Sequence, residues 1–165
     1  MLTQIRLKQL LDYDPETGRF TWRAACGRHG RIPSGTIAGS ISRYRYIRLD
    51  GKNYPASGLA FLWMTGQRPR EVDHINTNKI DDRWSNLRPA TRSQNGANQH
   101  GRKHRKRKLP KGVHLHIGKR RSKPYVAVVG FQNRRISLGY FRTPEEAYAA
   151  YSEAARKYHG EFARV

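Results

Sequence analysis

The most constraining feature of this 165-residue sequence is a net charge of +21, from 33 Lys and Arg residues against 12 Asp and Glu residues. Large core-forming side chains are scarce, since Leu, Ile, Val and Phe together supply only 31 residues. Such a balance is typical of disorder. Nine Tyr and three Trp residues weigh against disorder, because aromatic side chains can fill small cores. The composition therefore predicts small basic modules, each with a small core.

Several classes of protein are excluded by the residue content. The longest apolar stretch, residues 59–64, is far too short for a membrane-spanning helix. The first residues lack the apolar segment of a secretion signal, so we expect a cytoplasmic protein that is not secreted. Cys26 is the single cysteine, which excludes a disulfide framework and a cysteine-ligated zinc site. Nucleic acid is the favoured partner for this charge, and an anionic membrane surface is the alternative.

The charge is distributed unevenly along the chain. Residues 1–70, 100–111 and 112–165 carry +8, +7 and +6, whereas residues 71–99 are neutral. We interpret these as a β-rich N-terminal segment that contacts DNA, a basic linker, a C-terminal module and, at 71–99, a separate motif. Like charges repel, so the linker is expected to be extended until phosphates neutralise it. A localisation signal or a solvated loop is the alternative interpretation of the linker.

Turn signals and apolar spacing predict an α+β fold. Before the neutral segment we expect a helix at 4–12, a strand at 19–22, a hairpin around Asp50-Gly51, and a buried helix at 59–64 capped by Ser57. In the C-terminal module we expect a three-stranded antiparallel sheet at 112–117, 124–131 and 134–140. One helix follows it, starting after Thr143 with a capping box and ending at Gly160.

The neutral segment holds a dense polar cluster on a strand, loop, strand and helix. The Asp73 carboxylate and the Asn95 amide are hard oxygen ligands, suited to Mg²⁺ or Mn²⁺, and no zinc is expected. The His74 imidazole can act as a general base and deprotonate a water that attacks phosphorus. Asn86 can hold the loop and fix the orientation of the imidazole.

Other residues of the segment have plainer interpretations. Asp81 and Asp82 are read as a loop and cap pair rather than as metal ligands, and Trp84 as a core residue. Strict alternation along a strand places Asp73 and His74 on opposite faces. Both can face one site only if the strand ends or bends there.

The pattern in this segment resembles the HNH motif of the ββα-metal nucleases found in phages and introns. The matching pieces are Asp73-His74-Ile75-Asn76, Asn86-Leu87-Arg88 and Thr91-x-x-x-Asn95-x-x-Asn98. The resemblance implies an HNH nuclease module in which His74 is the general base and Asp73 and Asn95 bind the metal ion. It also implies that Asn86 is the central structural residue, and that Asn95 replaces a final His, as in the phage branch.

The C-terminal module resembles the ethylene-response-factor type of DNA-binding domain. The matching pieces are Lys111-Gly112-Val113, Tyr125-Val126-Ala127, the run from Ile136 to Phe141, the helix from Glu145 to Ala155, and the run from Lys157 to Ala163. The resemblance implies that the sheet enters the major groove. Val126 and Val128 stand where the family often has an arginine, so arginines elsewhere in the module are the expected contacts.

The favoured hypothesis is a metal-dependent DNA endonuclease of the homing type, which hydrolyses phosphodiester bonds and nicks double-stranded DNA as a monomer. If phage-encoded, it would act in the host cytoplasm. The alternatives are a non-catalytic DNA-binding regulator that keeps the HNH scaffold, and an RNA-binding protein of ribosomal type. The residues expected to contact DNA are Arg45, Arg48, Arg92, Arg102, Lys103, Arg105, Lys106, Arg107, Lys108, Arg120, Arg121, Arg134 and Arg135.

Overall fold

The computed structural model describes residues 2–99, 109–116, 122–132 and 134–165. The chain divides into two compact units, Met1–Thr91 and Arg92–Val165. Helices and strands occur in both units, in agreement with the α+β class predicted from the sequence. In the part of the chain that the structure describes, no helix has the length and apolar character needed to cross a membrane.

The first unit contains two helices and three small antiparallel sheets. In chain order its elements are α1 (Gln4–Leu10), β1 (Leu11–Asp14), β2 (Arg19–Trp22), β3 (Ser40–Ile41), β4 (Arg45–Leu49), β5 (Lys52–Pro55), α2 (Ala56–Thr65), β6 (Glu71–His74) and β7 (Leu87–Ala90). Strand β1 pairs with β2, β4 pairs with β3 and β5, and β6 pairs with β7. The core of this unit includes Leu7, Leu11, Phe20, Ile47 and Leu59, each fully buried.

The hairpin predicted around Asp50-Gly51 is confirmed. Leu49 pairs with Lys52, so the two residues between them form the whole turn. Both have left-handed backbones, with φ of 46° at Asp50 and 78° at Gly51. That combination is the type I′ turn, whose twist matches the twist of the flanking strands.

Two predicted details of this unit are wrong. The first helix ends at Leu10 rather than at residue 12, because Leu11 is extended (φ −130°, ψ 156°) and pairs with Trp22 in β1–β2. This pairing buries both Leu11 and Tyr13, because residues two apart point to the same face of a strand. In a continued helix the two side chains would point to different faces. The other wrong detail is the cap of α2, since Ser57 lies inside the helix and is buried, and Pro55 occupies the cap position.

The described residues of the second unit form two helices and one three-stranded antiparallel sheet. Its elements are α3 (Arg92–Asn98), β8 (Val113–Leu115), β9 (Tyr125–Phe131), β10 (Arg134–Phe141) and α4 (Pro144–His159). The strand order is β10-β9-β8. The predicted start of α4 is confirmed, because the Thr143 hydroxyl accepts a hydrogen bond from the Glu146 backbone N–H at 3.2 Å. Gly160 ends the helix, also as predicted.

A second core lies between α4 and the sheet of the second unit. Val113, Ala127, Val129 and Ala147 are buried in it. Tyr151 packs with them and lies against Gly112, whose φ is 76° and where a Cβ would overlap the Tyr151 ring. The close approach of backbone to ring therefore requires glycine at this position.

Helix α3 packs within the second unit, against β9, α4 and the 3₁₀ turn Gly160–Phe162. The Lys111 ammonium donates hydrogen bonds to the carbonyl oxygens of Ala97 and Arg164, the latter at 3.1 Å. These contacts tie the end of α3 to the C-terminal segment. The unit boundary after Thr91 thus separates α3 from β6 and β7, whereas the sequence interpretation grouped all three in residues 71–99. The functional domains assigned to these segments stay predictions.

Candidate active site

The polar cluster predicted from the sequence is built on the β6–β7 hairpin of the first unit. The register pairs Asp73 with Arg88 and His74 with Leu87. Strand β6 ends at His74. The strand therefore ends at the point where the sequence analysis required it to end or bend. Asp73 and His74 are both buried, with 3% and 5% of their surfaces exposed. Two ionisable groups are therefore held next to each other in the chain and out of bulk water.

Asp73 forms a buried ion pair with its cross-strand neighbour Arg88. The Arg88 Nε and Nη2 atoms both lie 2.9 Å from Asp73 Oδ2. The Asp73 and Arg88 side chains are 4% and 12% exposed. An isolated carboxylate at such a position would be costly, and the guanidinium offsets that cost. Arg88 consequently fixes the position of the carboxylate predicted to bind metal.

The His74 imidazole is paired with a buried carboxylate that the sequence interpretation assigned to a loop and cap pair. His74 Nε2 lies 3.0 Å from Asp82 Oδ1, and Asp82 is 3% exposed. An ionised carboxylate only accepts hydrogen bonds, so the contact favours the tautomer with the proton on Nε2 and the lone pair on Nδ1. Among the described residues, the other oxygen of Asp82, Oδ2, is buried without a hydrogen-bond partner.

The β1–β2 turn holds the backbone of Asp82 in place. The Tyr13 hydroxyl donates to the Asp82 carbonyl at 2.7 Å, and burial raises the pKa of Tyr13, which keeps this donor protonated. The Trp84 backbone N–H donates to the Pro15 carbonyl at 3.0 Å. Gly18 has φ of 70°, and a Cβ there would lie 2.3 Å from the Asp82 carbonyl carbon. Asp82 is therefore positioned by tertiary contacts from a distant part of the chain.

Asn86 ties together the loop between β6 and β7. Its Oδ1 accepts from the Asn76 backbone N–H at 3.0 Å, and its Nδ2 donates to the Asp81 carbonyl at 2.7 Å. Its backbone carbonyl accepts from the Ile75 N–H at 2.9 Å. These bonds suit the loop-holding role expected for Asn86.

Asp81 and Asp82 are adjacent in sequence but have different surroundings. Asp81 receives Arg83 Nε and Nη2, each at 2.7 Å, on its two oxygens, and Asn76 Nδ2 at 2.7 Å. Chiefly because of the Arg83 hydrogen bonds, the pKa of Asp81 is lowered to about 2. Asp81 thus stabilises the loop, whereas Asp82 reaches His74. The contact of Asp82 was missed because two neighbouring acids give no sequence signal that distinguishes them.

The donor chemistry at Asp73 fits a hard divalent cation, because a carboxylate is the ligand type that Mg²⁺ and Mn²⁺ prefer. In the described ranges, no group of three or more His, Cys, Asp or Glu residues is arranged to hold a metal ion. The predicted pair of ligands combines one acid with an amide, so it falls outside that kind of cluster. Asn95 lies on α3 in the second unit, and its role as a ligand stays a prediction.

The predicted DNA-contacting arginines are partly within the described residues. Arg45 and Arg48 lie on β4, Arg92 begins α3, and Arg134 and Arg135 begin β10. All of these except the half-buried Arg45 are exposed. Outside the described residues lie Arg102, Lys103, Arg105, Lys106, Arg107, Lys108, Arg120 and Arg121, with most of the predicted linker.

Comparison with known proteins finds one family model that matches the part of the chain around this site. No curated protein matches the sequence. Residues 54–97 match the family model of HNH endonucleases, and this range runs from within β5 into α3. It includes Asp73, His74, Asn86 and Asn95. The match supports an HNH nuclease, an enzyme whose substrate is nucleic acid.

Proposed function

We propose that the protein is a metal-dependent HNH endonuclease of the homing type, which nicks double-stranded DNA as a monomer. The observation that carries the proposal is the contact between His74 and Asp82, inside the range that matches the HNH family. A buried imidazole oriented by a carboxylate is the arrangement that a general base requires.

The proposed role of His74 is to accept a proton from water. The Asp82 carboxylate accepts a hydrogen bond from the His74 Nε2–H, so the Nδ1 lone pair takes the proton while the water oxygen forms a bond to phosphorus. The bond from phosphorus to the leaving oxygen then breaks. The positive charge that develops on the imidazole is stabilised by the Asp82 carboxylate. Asp82 is a positioning residue in this scheme, since it acts through His74.

The proposed metal ligand of the first unit is Asp73, with Asn95 proposed as a second ligand by resemblance. A bound Mg²⁺ or Mn²⁺ ion supplies stabilisation of the extra negative charge on the reacting phosphate. Arg88 holds the Asp73 carboxylate through Oδ2, which limits its rotation. Two protein ligands would leave most coordination positions to water and to substrate phosphate.

The C-terminal module is proposed to bind DNA in the manner of ethylene-response-factor domains. What supports this is the three-stranded antiparallel sheet β8–β10 with α4 packed against it. Exposed arginines at the start of β10 add positive charge at one end of the sheet. Binding by this module would keep the nuclease on the duplex through contacts with the phosphate backbone.

The proposal is tested by plasmid nicking with the full chain. We expect the wild-type protein to convert supercoiled plasmid to the open circle with Mg²⁺ or Mn²⁺, and EDTA to stop the reaction. His74→Ala should abolish nicking while duplex affinity, measured by fluorescence anisotropy, stays near the wild-type value. Retained nicking by this variant would contradict the role of His74.

The same assays separate the other hypotheses. Tight duplex binding without cleavage under any metal condition would support a DNA-binding regulator. Stronger binding to structured RNA than to duplex DNA, with no metal dependence, would support an RNA-binding protein. Linear product formed together with the open circle would indicate cleavage of both strands instead of nicking.

A further inference from the structure

The second unit contains a cavity that is lined by several basic side chains. Its volume is about 440 Å³, within the range of ~300–1,000 Å³ typical of pockets that hold ligands. Residues of α3, β9, β10 and α4 line it, together with Lys111 and Gly112. All of these belong to one compact unit, so the cavity is a feature of that unit alone.

The charged groups of the cavity are all basic. Arg92, Lys111, Arg134 and Arg135 line it, and no Asp or Glu is among the lining residues that the structure describes. Within the described residues, Arg92, Arg134 and Arg135 form no ion pair with a carboxylate. Three exposed arginines therefore line one cavity without neutralisation by a carboxylate of the described chain. Such a concentration of positive charge attracts an anion.

Lys111 gives the cavity a cation in a fixed position. Its ammonium donates to the carbonyl oxygens of Ala97 and Arg164, which uses two of its three N–H donors. The side chain is half-buried, so it has less rotational freedom than a fully solvated lysine. Burial also lowers the pKa of Lys111, and binding of an anion would favour its charged form.

The remaining wall of the cavity is apolar. Val129, Phe131 and Tyr151 line it beside the cations, and Val129 and Tyr151 are buried. A guanidinium group offers two parallel donors that match the oxygens of a phosphate, and an apolar wall accommodates the sugar attached to it. The combined chemistry fits a phosphodiester with its sugar better than a bare inorganic ion.

We propose that this cavity binds one backbone phosphate of the nucleic-acid substrate; the choice of nucleic acid rests on the proposed nuclease function. Helix α3 contributes Arg92 to the cavity and also carries Asn95, the predicted metal ligand. A phosphate held here fixes the strand relative to α3. The proposal makes the predicted DNA-contacting role of Arg92, Arg134 and Arg135 specific, because it assigns all three to one shared phosphate.

The first test compares two charge-matched double variants of the full chain. Arg134→Gln with Arg135→Gln removes two cavity cations, whereas Arg142→Gln with Arg156→Gln removes two exposed arginines of the same unit that do not line it. Duplex binding is measured by anisotropy in EDTA across a salt series. We expect the cavity pair to raise Kd about 10-fold and to reduce the salt slope by about 1. The control pair should have a clearly smaller effect on both quantities.

Equal effects of the two pairs would overturn the proposal, because the arginines would then act only through net charge. This outcome is independent of catalysis, since EDTA suppresses metal-dependent cleavage and only binding is measured. A failure of the nicking assay would instead contradict the proposed function. Unfolding midpoints of both double variants, compared with wild type, verify that folding is unchanged.

The second test locates the ligand directly. The dinucleoside monophosphate dTpdT, which carries a single phosphodiester, is titrated into ¹⁵N-labelled full chain. We expect the amide signals of Gly96, Gly112 and Gly130, which line the cavity, to shift. Unmoved signals would overturn the proposal. A second outcome would also overturn it: the Arg134→Gln, Arg135→Gln variant loses binding to phosphatidylserine vesicles but keeps its affinity for duplex DNA. The ligand of the cavity would then be a lipid headgroup.

Discussion

Asp82 Oδ1 lies 3.0 Å from His74 Nε2, and both side chains are almost completely buried. The contact joins a residue at the end of β6 to one in the following loop, eight positions later. A ring held in this way has one orientation and one favoured tautomer, which suits the role of general base proposed for His74.

Replacing Asp82 should impair cleavage without impairing DNA binding. Asp82→Asn keeps the size of the side chain but can offer its amide group to Nε2, which favours the wrong tautomer of His74. We expect the single-turnover rate constant to fall by a factor of about 10² to 10⁴, the usual contribution of a positioned acid or base. The Kd for duplex, measured by anisotropy, should change less than threefold.

The neighbouring acid provides the control for this prediction. Asp81→Asn weakens the Arg83 ion pair but leaves the His74 contact in place, so its rate constant should fall far less. Nitrogen chemical shifts of the His74 ring should report protonated Nε2 in the wild type and in Asp81→Asn, and an altered tautomer in Asp82→Asn. Equal rate losses in the two variants would show that Asp82 acts only through stability.

Removing Arg88 should destabilise the first unit. Arg88→Met leaves Asp73 as a buried charge without its guanidinium, and breaking a buried ion pair costs about 3–5 kcal/mol. Urea denaturation followed by Trp fluorescence measures this, because all three Trp residues lie in the first unit. The double variant Asp73→Leu with Arg88→Met should recover part of the loss, since no buried charge is left alone. Equal losses in the single and double variants would contradict the ion pair's role.

Glycine at position 18 should be needed for the position of Asp82. Gly18→Ala forces a Cβ to within 2.3 Å of the Asp82 carbonyl carbon, so the loop must move. Gly51→Ala is the matched control, because Gly51 also has a left-handed φ but open space around its Cα. The control should lose about 1–2 kcal/mol from backbone strain alone. Gly18→Ala should lose more stability, measured by urea denaturation, and should also cleave DNA more slowly.

The stability of the second unit should fall in mild acid. Burial lowers the pKa of His159 below its usual 6.5. A hydrogen bond to the Gly130 backbone raises this pKa, and the charge of Lys111 lowers it, so the net shift is downward. The unfolded chain therefore binds this proton more readily than the folded chain. Stability should be insensitive to His159 above pH 6.5 and should decline as pH falls from 6.5 toward the lower folded pKa.

Hydrogen exchange of the β9 amides between pH 7.5 and 5, corrected for intrinsic rates, measures this decline. His159→Gln removes the titrating group, so its profile should be flatter than that of the wild type. The chain's other titratable groups remain in both proteins and serve as the internal control. A parallel decline in the two proteins would assign the pH dependence to other residues.

Local chemistry alone was sufficient for several elements of this protein. The Asp50-Gly51 turn follows from the left-handed backbones that it requires, and the start of α4 follows from its capping Thr143 and the Pro144 after it. The polar residues of β6, β7 and α3 could be recognised by their spacing, and the HNH family match covers the same range. Each of these signals lies within one short stretch of sequence, so it can be recognised without knowledge of contacts to distant parts of the chain.

Only the tertiary structure showed which residue pairs with the His74 imidazole and which unit helix α3 packs in. Asp81 and Asp82 have the same side chain and adjacent positions, and contacts from Tyr13 and Gly18 help to hold Asp82 as the one that reaches His74. Leu11 leaves a helical pattern because pairing with Trp22 buries it. Helix α3 packs with the second unit because Lys111 and its neighbours hold it there. These outcomes depend on contacts between residues far apart in sequence, whose energies no local pattern contains.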